Sequence, residues 1–395
     1  MKKVSIICVS LILLMSILFS GCSLSSLMPS AEAFGADPAV LTIDKLLNKS
    51  YKEEAKVYQS GDFSYVLFED DTAVITKYNK DMPTLSVDSI KEEDKNVFKT
   101  KLPKEAGEKD DAYDARLTDA IKKDYMEKVK KYIDEKGVSV TIPETIDGKT
   151  VIGIENKAFY KSLGLKEIIL PDTVKYIGNL AFMTCEFLQN VEIGSGIDTI
   201  GDSAFEGCFR LLTVNYKGAP KKICEKAFNK CSWLQIIDLP AGVEYIGEWA
   251  FAKCENAEKI LLKDGITFIG DHAFLKCRKA VEVSVPGTCE SVLISAFYQC
   301  PKIEKLTLNE GIKTLSKGAF EECSGLKEVV LPNSLETMEK YVFLNCTSLK
   351  NVTSNAELKE IGAECFIGTS PDLVITAKAD SKMQQYAKDN EIKVK

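Results

Sequence analysis

From Val138 onward, apolar and polar positions recur with a fixed period of 23 residues. Ten phenylalanines mark it: Phe159, Phe182, Phe205, Phe228, Phe251, Phe274, Phe297, Phe320, Phe343 and Phe366. Counted from each, apolar side chains return at offset six (Leu165, Leu188, Leu211), nine (Ile168, Val191, Ile237), eleven (Leu170, Ile193, Leu239) and eighteen (Ile177, Ile200, Ile246). Offsets nine and eleven flank a mostly polar position, so this period of two predicts a short strand with one face inward. Proline ends that strand at Pro171, Pro240, Pro286 and Pro332, because it has no N–H to give a ladder. The Ala-Phe pair that follows a frequent glycine, as at Gly178, Gly201 and Gly270, is expected on a short helical turn. No single repeat can bury its own apolar face, whereas a stack of them can. The unbroken period therefore predicts a solenoid of ten stacked coils with a parallel sheet. At about 4.8 Å per coil the array is about 45 Å long.

Upstream, the pattern changes. Between Asn79 and Gly137, Tyr113, Leu117, Ile121, Tyr125, Val129 and Tyr132 recur at three or four residues, which predicts a helix stopped at Gly137. From Lys91 to Gly137 the acidic and basic residues number 13 each, so the segment is charged but neutral. Its apolar stripe is expected to dock on neighbouring structure, with the stretch before it mobile. Two readings compete: an elaborate cap, or a functional insertion.

The first residues form neither pattern. A basic start, Met1-Lys2-Lys3, precedes an apolar run from Val4 to Phe19 that is short for a membrane span. It ends in Leu18-Phe19-Ser20-Gly21-Cys22, which resembles a bacterial lipoprotein signal with Cys22 as the lipidated residue, although Phe19 departs from the usual leucine. The alternatives are an ordinary secretory signal cut nearby and an uncleaved anchor. Each places the protein outside the cytoplasm. Residues 1–21 then form the signal peptide, and 22–38 the lipidated cysteine with a flexible tether.

Charge and composition narrow the function. A net charge of −7 argues against a nucleic-acid partner, which needs a basic footprint. A single histidine, His272, excludes histidine pairs and histidine-rich metal sites. Its column also holds Leu180, Ser203, Lys226 and Trp249, and such variety predicts a surface position. Thirteen cysteines in an exported chain would ordinarily suggest disulfides. Here eight, from Cys185 to Cys346, form a column three residues after the phenylalanines, and Cys224, Cys289 and Cys365 replace small or apolar residues in other columns. Buried free thiols are the expectation. Bridges between stacked, parallel side chains and a metal site are the alternatives. No phosphate loop, nucleophile elbow or metal motif is present, so neither an enzyme nor a cofactor is expected.

The pattern Ile-Gly-x-x-Ala-Phe-x-x-Cys-x-x-Leu-x-x-Val-x-Leu-Pro, followed in close variants between Val174 and Pro240, resembles the BspA-like leucine-rich repeat. The resemblance implies a β-rich α/β leucine-rich-repeat solenoid over residues 138–378. An N-terminal hairpin cap over 39–137 would carry the helical insertion, and residues 379–395 would form a C-terminal cap. Asp62 to Leu67 and Thr72 to Tyr78 are similar to the opening hairpin, Val140 to Pro143 to the strand feeding the first repeat, and Ala379 to Lys395 to a closing helix and strand. It also implies a cell-surface protein that adheres to a protein ligand on a host or neighbouring cell.

Candidate binding residues are the apolar ones in polar columns. Ile169, Ile236, Leu261 and Val330 face outward from the strands, and Phe187, Phe209 and Trp233 fall at offsets four and five of consecutive repeats. Either these aromatics form an exposed patch for a protein or a sugar ring, or they fold back as extra packing. Three functions follow: adhesion through protein–protein contact, glycan capture for uptake, and a structural role in the envelope.

Overall fold

The computed structural model describes residues 56–80 and 107–395, with residues 52, 99 and 102–105. The expected signal peptide, Cys22, the tether and most of the first half of the insertion lie outside the described residues. The repeats coil as a solenoid, each contributing one turn. A further coil precedes them, built from Val138–Thr141 and Lys149–Ile154, so that about eleven coils stack.

Three columns of hydrogen bonds join successive coils. The first is the expected one: strands such as Asn190–Ile193 and Thr213–Tyr216 pair in parallel, with offsets nine and eleven inward. The second is an additional strand of two residues per coil, as at Tyr176–Ile177 and Thr199–Ile200, whose inward residue is the apolar offset eighteen. These short strands belong to one sheet of 14 strands that also takes in Phe63–Leu67 and Ala73–Tyr78, an antiparallel pair, at its start.

The third column corrects the expectation of a helical turn. Around each Ala-Phe pair the backbone makes tight turns with left-handed residues on both sides, as at Leu180 (φ 60) and Thr184 (φ 57). Left-handed backbone costs a non-glycine residue about 1–2 kcal/mol. The compensation is visible: Leu180, Phe182 and Thr184 donate their N–H groups to the carbonyls of Asp202, Ala204 and Glu206 in the next coil, at 2.7–2.8 Å. A helix would have turned those donors along its own axis.

Inside, the phenylalanine rings lie nearly parallel with centroids 4.9–5.7 Å apart, an offset stack. Tyrosines close it at both ends. Tyr78 from the hairpin stacks on Phe159 at 6.0 Å, and Tyr386 meets Phe366 edge-on at 6.0 Å. Tyr386 belongs to the helix Lys382–Asp389, which Ser381 caps and which buries Met383 and Ala387.

The cysteine column lies beside the rings, fully buried and reduced. Each thiol also has a partner. Cys185 Sγ donates to Phe159 O at 3.1 Å, Cys208 to Phe182 O at 3.2 Å, and so on to Cys346 and Phe320 O. The column is thus a further link between coils. It is small enough to pack like alanine, and its donor reaches a carbonyl of the preceding coil.

The helix expected before Gly137 spans Asp110–Lys136 and buries Leu117. The side chains of Ile121, Tyr125, Val129 and Tyr132 are not among those described. Its C-terminal end meets the first two repeats, where Lys166 and Gln189 donate to Asp134.

Candidate interaction surface

The outward face of the longer strands is mostly a polar lattice. Neighbouring coils carry ion pairs in register, including Lys305–Glu282 and Lys327–Glu304. At such exposure each contributes little, but together they keep that part of the face hydrophilic.

One region breaks the lattice. Phe209, Trp233, Ile236 and Leu261 keep 38–50% of their surface exposed on three consecutive coils. Val281, in the next coil, extends the band at 47%. It is another apolar residue in a column that is polar apart from Leu212, and the signal that marks Ile236 could have found it.

Phe187 does not belong to this band. Only 1% of its surface is exposed. Phe187, Arg210 and Trp233 share offset five in successive repeats, and the Arg210 guanidinium lies 4.9 Å from the Phe187 ring and 5.3 Å from the Trp233 ring. Arginine covers one ring and presents the other. Burial pulls the Arg210 pKa down, while the Asp134 carboxylate opposes the shift. The aromatic cluster therefore divides: Phe187 packs, whereas Phe209 and Trp233 face water.

Below Trp233 the sheet of longer strands is interrupted. No ladder joins Thr213–Tyr216 to Ile236–Asp238, and a slot of about 440 Å³ opens between them. A second interruption, between Lys305–Leu308 and Glu328–Leu331, holds a slot of about 680 Å³. Val330, 63% exposed, stands on its rim.

On the opposite side of each coil runs a column of amides and carboxylates: Asn156, Asn179, Asp202, Glu225, Glu248 and Asp271. Several accept a hydrogen bond from the backbone of the following coil: Asn156 from Asn179 N at 2.7 Å, Asn179 from Asp202 N at 2.8 Å, and Asp271 from Ile294 N at 3.0 Å. These amides and carboxylates thus fasten coils together. Burial, and then the neighbouring Glu225, raises the pKa of Asp202, and burial followed by Asp271 and Glu225 raises that of Glu248.

His272 lies beside this column, half-buried rather than on the open surface. Its left-handed backbone (φ 57) lays the ring on Trp249, with centroids 4.3 Å apart. Burial lowers its pKa, and the Asp271 carboxylate opposes the shift. Among the described residues no group of three His, Cys, Asp or Glu side chains is arranged to hold a metal ion, and no helix is long and apolar enough to cross a membrane.

A family model for the BspA type leucine rich repeat region matches the chain in six copies, over residues 152–281 and 245–371, more than half of its length. Among solved structures, a leucine-rich repeat protein from Bacteroides ovatus aligns over 81% of this chain and 70% of its own, with 22% identity and a TM-score of 0.56. A leucine-rich repeat protein from T. pallidum aligns over 69% and 91%, with 22% identity and a TM-score of 0.42. The pneumococcal vaccine antigen PcpA aligns over 86% and 98%, with 16% identity and a TM-score of 0.42. No curated protein matches the chain.

Proposed function

Because the chain belongs to the BspA-type leucine-rich-repeat family, we propose that it is a non-catalytic cell-surface scaffold that adheres to a protein ligand through the outward face of its longer strands. The observation that carries this reading is the exposed apolar band of Phe209, Trp233, Ile236 and Leu261, extended by Val281, on a face that is otherwise mostly polar. Contiguous apolar surface of this kind marks interaction sites, and large aromatics dominate interface energies. The scaffold suits the task because hydrogen-bonded columns hold the coils together, three at most junctions and two where the longer-strand sheet is interrupted, so the band keeps its shape before a ligand arrives.

On this reading residues 1–21 direct export, Cys22 carries the lipid, and residues 22–38 tether the folded part. The hairpin region 39–137 and the segment 379–395 cover the ends of the stack at 138–378. Metabolic labelling with a fatty acid tests the anchor. Label is expected on the wild-type protein and absent from Cys22→Ser, which is then released from the membrane fraction; equal membrane retention of that variant rejects the lipoprotein reading.

The test of the ligand class is a panel of purified host-surface and matrix proteins run beside a glycan array. Binding is expected on the protein panel. Trp233→Ala should weaken it by about 2 kcal/mol while leaving the melting curve near that of the parent, because the indole is largely outside the core. Binding on the glycan array alone would replace adhesion with glycan capture, and silence on both would leave a structural envelope role.

A further inference from the structure

The two interruptions of the longer-strand sheet share one geometry. At the first, the coils remain joined elsewhere: Lys222–Ile223 pairs with Tyr245–Ile246, and the rings of Phe205 and Phe228 stay 5.1 Å apart. At the second, Thr314–Leu315 pairs with Thr337–Met338, and Phe297 lies 5.3 Å from Phe320. Each gap is therefore a wedge, closed at the core and open on the outward face.

Core-column residues show through both wedges. Val214 and Tyr216 are half-buried where Val191 and Ile193, one coil earlier, are fully buried. Leu306 and Leu308 keep 7% exposure where Val283 and Val285 keep none. The facing strand edges also lack ladder partners across the gap. An apolar side chain stands on the downstream rim of each slot, Ile236 at the first and Val330 at the second.

We propose that the two slots receive two apolar side chains from one extended segment of a partner protein, which lies along the solenoid axis across the outward face. The inference rests on the protein-binding reading above. The occupant follows from the spacing. The slots are four coils apart, about 19 Å at 4.8 Å per coil. An extended chain advances about 3.3 Å per residue, so the two anchors stand about six residues apart. Six is even, and side chains alternate along an extended chain, so both anchors point to the same side. Between the slots the floor is mixed: Lys259, Glu282 and Lys305 stand in register, and beside them Leu261 of the apolar band is followed by Ser284 and Thr307. The intervening residues of the partner are accordingly mostly polar and of mixed charge, with room for an apolar side chain opposite Leu261.

The probes are fluorescein-labelled peptides of about twelve polar residues carrying two leucines at separations from about four to eight. They are titrated by anisotropy against the full chain. Affinity is expected to peak at a separation of six, about tenfold above separations of five and seven, which send the anchors to opposite sides. Two variants fill the slots from outward positions, Asn215→Trp and Thr307→Trp. Each should retain the parental melting curve, weaken the best peptide by about tenfold and erase the preference for six. Peptides that bind without a spacing preference, fail to bind, or bind the filled variants as tightly as the parent overturn the inference. If the protein panel still binds in that case, the adhesion reading stands without the slots; if the panel is silent too, both fall. Capture of an oligosaccharide that both filled variants lose would also overturn the peptide proposal.

Discussion

Phe251→Ala is expected to destabilise the fold by about 3–5 kcal/mol, the cost of emptying a ring-sized space in a packed core. Phe251 is 2% exposed, and its ring lies between Phe228 at 5.1 Å and Phe274 at 5.6 Å. Neither neighbour can collapse into the vacancy without leaving its own column. In a stack where each coil touches only the next, the loss is local in origin. Phe159 to Phe228 on one side and Phe274 to Phe366 on the other each retain enough repeats to hold together. The urea transition of the variant should therefore broaden or split, and indole fluorescence should move first, because Trp233 and Trp249 stand beside the lesion. A loss below about 1 kcal/mol with one sharp transition would contradict a buried, continuous column.

Thiol chemistry should separate the native from the unfolded protein just as sharply. Among the described residues eleven cysteines are free, and ten of them are buried. Burial pushes the Cys185 and Cys346 thiols up to about 12, so at pH 8 only about one in ten thousand is thiolate, the reactive form. Native protein should thus react slowly with an aromatic disulfide reagent, beginning at half-buried Cys224. Denatured protein should release eleven equivalents from these positions. A count well below that after denaturation would reveal bridges between coils.

The apolar columns were legible because one side chain per coil fills each of them, eight to ten times over. The second strand was not, because two residues with a single inward side chain, such as Ile177, show no alternation. The left-handed turns were hidden by residues that rarely adopt them, Leu180, Lys226 and Trp249 among others. Gly207, Gly318 and Gly368, all at positive φ in the same two columns, were the available signal. Phe187 and Trp233 could not be told apart by position, since they share an offset; the arginine between them decides which ring meets water. The thiol column could be placed in the core from its regularity, but its bonds to the phenylalanine carbonyls depend on how closely coils approach. The wedges are least visible in the sequence, because they arise from a small divergence of coils whose inward residues remain apolar.

The three hydrogen-bonded columns run along the solenoid axis, which gives the molecule a mechanical character. A pull on its ends would load the bonds between coils rather than those within one, and the outermost coil would peel before its neighbours. Each coil occupies about 5 Å of axis but stores 23 residues, about 75 Å of chain when drawn out. Under tension the array would lengthen in steps of one repeat, a tether that yields gradually while the remaining coils keep their shape.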